Sequence, residues 1–119
     1  MNNKVIISII SLPENFHKNR TISAYSLLNE SGYFELFEII YEDDIYEELY
    51  QHQQYIEQWL IWSEDKRTDA GWYIRKEDWG GYIVGHLSTL RRFEIFKYTD
   101  VVRACAAFIK REIEEIRNN

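Results

Sequence analysis

EDDIYEELYQHQQYIEQWLIWSEDKRTDAGWYI, residues Glu42 to Ile74, decides the fold of this chain, because it carries the change from helical to strand patterning together with three of the four tryptophans. Ile45, Leu49, Ile56, Trp59, Leu60 and the returning Ser63 recur at steps of three and four, the spacing of one core-facing helical stripe. Asp43 or Asp44 is the expected N-cap, and Glu47 and Glu48 add favourable charge near the same end. Lys66 and Arg67 fall in the expected last turn, and Gly71 supplies the reversal that follows. The pattern fits one helix, or two with a break near Gln51 to Gln53.

Working outward, residues 21–65 contain no lysine or arginine, yet they hold eleven acids: Glu30, Glu35, Glu38, Glu42, Asp43, Asp44, Glu47, Glu48, Glu57, Glu64 and Asp65. The other 74 residues carry 14 cations against nine acids, so the net charge of -6 is the difference between an acidic middle and a mildly basic remainder. Such a field steers a cationic partner and repels nucleic acid and anionic membranes. Two readings of the acids stand: a solubilising helix surface, or a face that meets a basic protein.

At 119 residues and 45% hydrophobic, the chain fits a single domain over residues 1–119 with one core. Nine tyrosines and four tryptophans exceed what a small core needs, so some rings are expected at the surface, where they anchor interfaces. Cys105 stands alone, which excludes an intramolecular disulfide and a cysteine-based zinc site and makes a reducing, cytoplasmic setting the default. The apolar run Val5 to Leu12 is too short and too polar for a membrane span and lacks a small-residue cleavage site.

Residues Lys4 to Leu12 fit either a strand or a short helix, with the spacing of Ile6, Ile9 and Ile10 favouring helix; Pro13 is expected to end it, and Glu14 to Arg20 to form a polar loop. Thr21 or Ser23 caps the next helix, which carries Ile22, Tyr25 and Leu28 on one face and stops at Gly32. Tyr33 to Tyr41 is a short aromatic connection, one helical turn or an extended piece. Beyond the central segment, Trp72 to Glu77 and Tyr82 to Leu87 alternate around Asp78-Trp79-Gly80-Gly81, which spells an antiparallel hairpin, and Phe93 to Tyr98 offers a third strand. Thr99 or Asp100 caps a last helix whose buried stripe is Val102, Cys105, Ala106, Ile109, Ile113 and Ile116, with Glu112, Glu114 and Glu115 among the cations of its wet side. The expected architecture is α+β: helices first, a small antiparallel sheet of two or three strands, and a C-terminal helix packed on it.

Catalytic signatures fail one by one. His17, His52 and His86 lack the spacing of a helical metal site, and Gly80-Gly81 with Gly85 lacks the context of a phosphate loop. Glu64-Asp65-Lys66 matches an acid-x-lysine element of metal-dependent nucleases but sits at a helix end in a chain that repels DNA, and Asp43 with Glu47 forms only a surface pair. No catalytic residue, metal ligand or cofactor is therefore assigned.

Ser31-Gly32-Tyr33-Phe34-Glu35, the run Trp59 to Arg67, Gly71-Trp72-Tyr73-Ile74 and Tyr82-Ile83-Val84-Gly85 resemble the pattern of small bacterial immunity proteins, over roughly residues 20–115. That resemblance implies a non-enzymatic cytoplasmic protein that binds one toxin domain, often a nuclease with a basic cleft. It agrees with the acidic middle, and the expected contact is Glu42, Asp43, Asp44, Glu47 and Glu48 with Tyr46 and Tyr50 as anchors. The rival expectations are a structural or regulatory subunit that forms a homodimer through its aromatics, and, behind it, a small metal-dependent hydrolase.

Overall fold

The described residues are 2–19, 21–65, 71–88 and 91–118, with side chains placed for all but 88 and 91–94; in the computed structural model they form seven α-helices and a three-stranded sheet. α1 (Asn3–Ile10) is a helix because Ile6, Ile9 and Ile10 fall on one buried stripe, which outweighs the strand preference of its isoleucines. Ser11 closes it, donating its hydroxyl to Ile7 O at 2.8 Å, and its carbonyl accepts from Asn15 N to start the next helix.

Pro13 does not end the helical region. It sits in the first turn of α2 (Leu12–Lys18), where a missing N–H costs nothing because first-turn amides have no helical partner. Glu14 to Lys18 is therefore helix and not loop, while Arg20 lies outside the described residues. α3 (Ala24–Glu30) is capped by Ser23, whose hydroxyl accepts from Ser26 N at 3.1 Å. Gly32, at φ +94°, turns the chain into the single turn α4 (Tyr33–Leu36).

The central segment breaks at His52. α5 (Glu42–Gln51) and α6 (Ile56–Asp65) are joined by a 3₁₀ turn, Gln53–Tyr55. A straight helix would keep Ile45, Leu49, Ile56 and Trp59 on one stripe, so the break falls in the polar stretch between them: Gln51, Gln53 and Gln54 are exposed, and Tyr55 packs on the core only in part. The N-cap is Tyr41 and not Asp43 or Asp44: Asp44 occupies the third helical position, from which its carboxylate accepts from Tyr41 N at 2.8 Å, the reciprocal arm of a capping box. Lys66 and Arg67 lie outside the described residues.

β1 (Gly71–Lys76), β2 (Tyr82–Ser88) and β3 (Arg91–Tyr98) pair antiparallel in that order. The register sets Trp72 opposite His86, Ile74 opposite Val84 and Val84 opposite Phe96, with a bulge between Val84 and His86. Alternation then places Trp72, Ile74, Val84, His86, Phe96 and Tyr98 on one face. α7 (Val101–Arg117), capped by Asp100 on Val102 N at 3.0 Å, lies against that face.

α7 is the axis of the molecule, meeting α3, α5 and α6 on its other sides. Residues 104–109 are fully buried all round, and four of them are Ala or Cys, which lets the neighbours approach closely. Two polar ties fix α6 in place. Trp59, fully buried, donates Nε1–H to Ile10 O at 2.8 Å, and Ser63 Oγ both donates to Ile74 O and accepts from Ile74 N at 2.9 Å, satisfying the edge of β1. Glu112 is not on the wet side of α7. It is buried, and it accepts from Trp62 Nε1 at 2.8 Å.

Candidate functional site

At 3.6 residues per turn, the seven residues expected to form the contact face divide over three sides of α5. Ile45 and Leu49 bury the inner side. Asp43, Glu47 and Tyr50 are exposed on the opposite, outward side. Glu42 and Tyr46 flank toward α7, and Asp44 and Glu48 flank the other way; the expectation of a common acidic patch is corrected to this division.

Cations from α7 also reach into it. Glu42 accepts from Arg103 at 3.2 Å through one oxygen and from Arg111 at 3.1 Å through the other, and Arg103 reaches Asp43 at 2.8 Å. The Arg103 guanidinium lies 4.1 Å from the centre of the Tyr46 ring, and the Tyr46 hydroxyl is within 3.4 Å of Asp100. Burial, and then Asp100, push the Tyr46 phenol above its ordinary value. Burial alone would lower the Arg103 pKa, but the hydrogen bonds to Asp43 and Glu42 raise it, so it remains a fixed positive charge. Asp43 nevertheless keeps 83% of its side-chain surface in solvent, and a pair so exposed contributes only roughly 0.2–1 kcal/mol. Glu48 sits 3.7 Å from His52, whereas Glu47 and Tyr50 project freely into solvent, with Tyr50 tilted against the Tyr46 ring at 6.1 Å.

The arginines were the residues that sequence reasoning missed. Arg103, Lys110 and Arg117 are spaced by seven, which keeps them on one face of α7, and that face turns to the acidic segment. Lys110 donates to the Tyr33 hydroxyl at 2.7 Å and to Phe37 O at 3.2 Å; Tyr33, fully buried, donates to Glu114; Arg117 forks onto Glu114 and stacks 3.6 Å from the Phe37 ring centre. Desolvation lowers the Lys110 pKa. Burial tends to raise that of Glu114, but hydrogen bonds from Arg117 and Tyr33 bring it below the ordinary carboxylate range. Arg111 is held between Trp72 and Phe96, 5.4 and 4.5 Å from their ring centres.

Lys110, Arg111 and Glu114, with Glu42, Trp72 and Glu115, line an open cleft of about 560 Å³ along the outer end of α7. Its charges are spent on one another, so the cleft is an ion lattice fastening α7 to α4, α5 and the sheet. His86 contributes by meeting Glu115 at 3.0 Å with its ring edge-on to Trp72. Cys105 is buried and its thiol is pushed up by that burial, which withholds the thiolate that nucleophilic chemistry needs. Among the described residues no group of three or more His, Cys, Asp or Glu is placed to hold a metal ion, and no helix is long and apolar enough to cross a membrane. The Glu64–Asp65 pair ends α6, and its Lys66 lies outside the described residues.

No protein-family model, curated protein or solved structure matches the chain.

Proposed function

We propose that this chain is a non-enzymatic binding protein of the immunity type, which neutralises a cationic toxin domain by covering it. The observation that carries the reading is the outward side of α5: Asp43, Glu47 and Tyr50 stand exposed at helical spacing on a segment, residues 21–65, that contains no lysine or arginine. Carboxylates placed this way steer a basic surface and fix its register, while Tyr50, 58% exposed, supplies the rigid amphipathic area of an interface anchor. A nuclease cleft, built to hold phosphates, is the partner surface that such a face suits. Inhibition is then steric and electrostatic, with no bond made or broken, and the site of action is the cytoplasm.

The division of α5 sharpens the choice of variant. Asp44 caps the helix and Glu42 anchors two arginines, so changing either disturbs the fold; Glu47 and Tyr50 do neither. Immobilised protein is expected to retain a basic protein from an extract of its source in a salt-sensitive manner, and a Glu47→Lys/Tyr50→Ala column is expected to lose it. Retention of the same basic protein by both columns would remove this face from the interface.

A further inference from the structure

The elbow between α4 and α5 exposes two large apolar side chains that neither helix uses. Ile39 and Tyr41 are 54% and 63% exposed, and between them Ile40 is buried, so the two project outward on either side of an inward anchor. Singly scattered surface hydrophobics are ordinary, but a pair two residues apart, in a stretch with exposed acids at Glu35 and Glu38 and no cation of its own, is a composed patch.

The elbow is also held in shape. Ile39 N and Ile40 N both donate to Leu36 O, at 2.9 and 3.1 Å, Tyr41 N donates to Asp44, and Lys110 fastens Phe37 O from beneath. The cations nearest to it, Lys110 and Arg117, are engaged with Tyr33, Glu114 and the Phe37 ring on its inner side. A rigid apolar pair costs little ordering on binding, and the acids around it set the sign of whatever binds.

We infer that Ile39 and Tyr41, with the exposed Glu35 and Glu38 just before them in the chain, seat the apolar anchor of the partner, whose contacting segment is therefore cationic and amphipathic: apolar side chains set among lysines and arginines. This rests on the acidic-surface reading above and adds to it where the hydrophobic contact lies. α5 attracts the partner; the elbow holds it.

Two synthetic peptides of equal charge separate the terms: a lysine–leucine amphipathic helix and an oligolysine, titrated at low salt by calorimetry against the wild-type chain and against Ile39→Ser/Tyr41→Ser, with circular dichroism confirming an unchanged fold. The wild type is expected to bind the amphipathic peptide about tenfold more tightly than oligolysine, a difference of about 1.4 kcal/mol. The double-serine variant is expected to lose that preference while its oligolysine affinity stays the same. Equal affinity of the wild type for the two peptides, or a preference that survives in the variant, overturns the elbow while salt-sensitive binding of both leaves the acidic surface standing. Binding indifferent to salt overturns the two together.

Discussion

Replacing Trp59 by alanine is expected to lower the unfolding free energy by about 3–5 kcal/mol, a large share of the roughly 5–15 kcal/mol available to a domain of this size. Two losses combine. The indole is fully buried, edge-on to Phe108 at 6.1 Å and tilted against Trp62 at 5.5 Å, so its removal leaves a void where α1, α6 and α7 converge. Its N–H also satisfies Ile10 O near the end of α1, and that buried carbonyl is left without its donor. Trp59→Phe weighs the two differently, since it keeps a buried six-membered ring but deletes the donor and part of the indole, for a smaller cost of about 1–3 kcal/mol. Urea unfolding with an unchanged denaturant slope checks both, and a midpoint for Trp59→Ala close to the wild type would mean that α6 is not docked as described.

Tyr33→Phe should cost about 2 kcal/mol although it removes a single oxygen. The hydroxyl sits between two charged groups, donating to Glu114 and accepting from Lys110, and the ring around it is fully buried. Without it, Lys110 and Glu114 face one another 3.9 Å apart across a partly dry gap. The substitution should also change the alkaline limb of stability. Burial, reinforced by the hydrogen bond and charge of Glu114, raises the Tyr33 pKa far above its ordinary 10, so the unfolded chain gives up this proton first. The stabilisation is whole below pH 10 and drains away as pH rises beyond it. Tyr33→Phe has no such proton to lose and should fall less steeply there in unfolding measurements from about pH 8 to about pH 11. An identical slope in both proteins would contradict the buried, hydrogen-bonded hydroxyl.

The fold follows from periodicity wherever one side of an element is buried. The stripe of α1, the Ser23 and Asp100 caps, the reversal at Gly32 and the three strands are all properties of residues a few positions apart and appear in the structure as expected, whereas α7 is buried well beyond its expected stripe, at Ala104, Ala107 and Phe108 too. The departures come from long-range geometry. Pro13 is compatible with the end of one helix or the first turn of another, and the choice depends on where Leu12 can be buried. Glu112 falls seven residues after Cys105 and three after Ile109, inside the apolar stripe of α7, so only its charge made it look wet; Trp62 from α6 supplies a donor that lets it be buried.

The candidate surface divides in the same way. Charge composition locates the acids correctly in the middle of the chain, but it treats them as equivalent, whereas their directions around α5 and the arginines brought by α7 sort them into anchors, a cap and free contact groups. Glu42 and Asp44 belong to the fold, Asp43 pairs with Arg103 while keeping most of its side chain in solvent, and Glu47 and Tyr50 are exposed. The spacing of Arg103, Lys110 and Arg117 by seven carried that information, once α5 was taken as the neighbour of α7.

The association rate of this protein with the basic partner it retains, followed from about 50 to about 500 mM salt for the wild type and for Asp43→Lys/Glu47→Lys, tests the central claim most directly. The wild-type rate should fall steeply with salt, and the charge-reversed protein should associate about tenfold or more slowly at low salt, with the two curves meeting at high salt. Rates that ignore both salt and the reversal would show that the outward side of α5 attracts nothing.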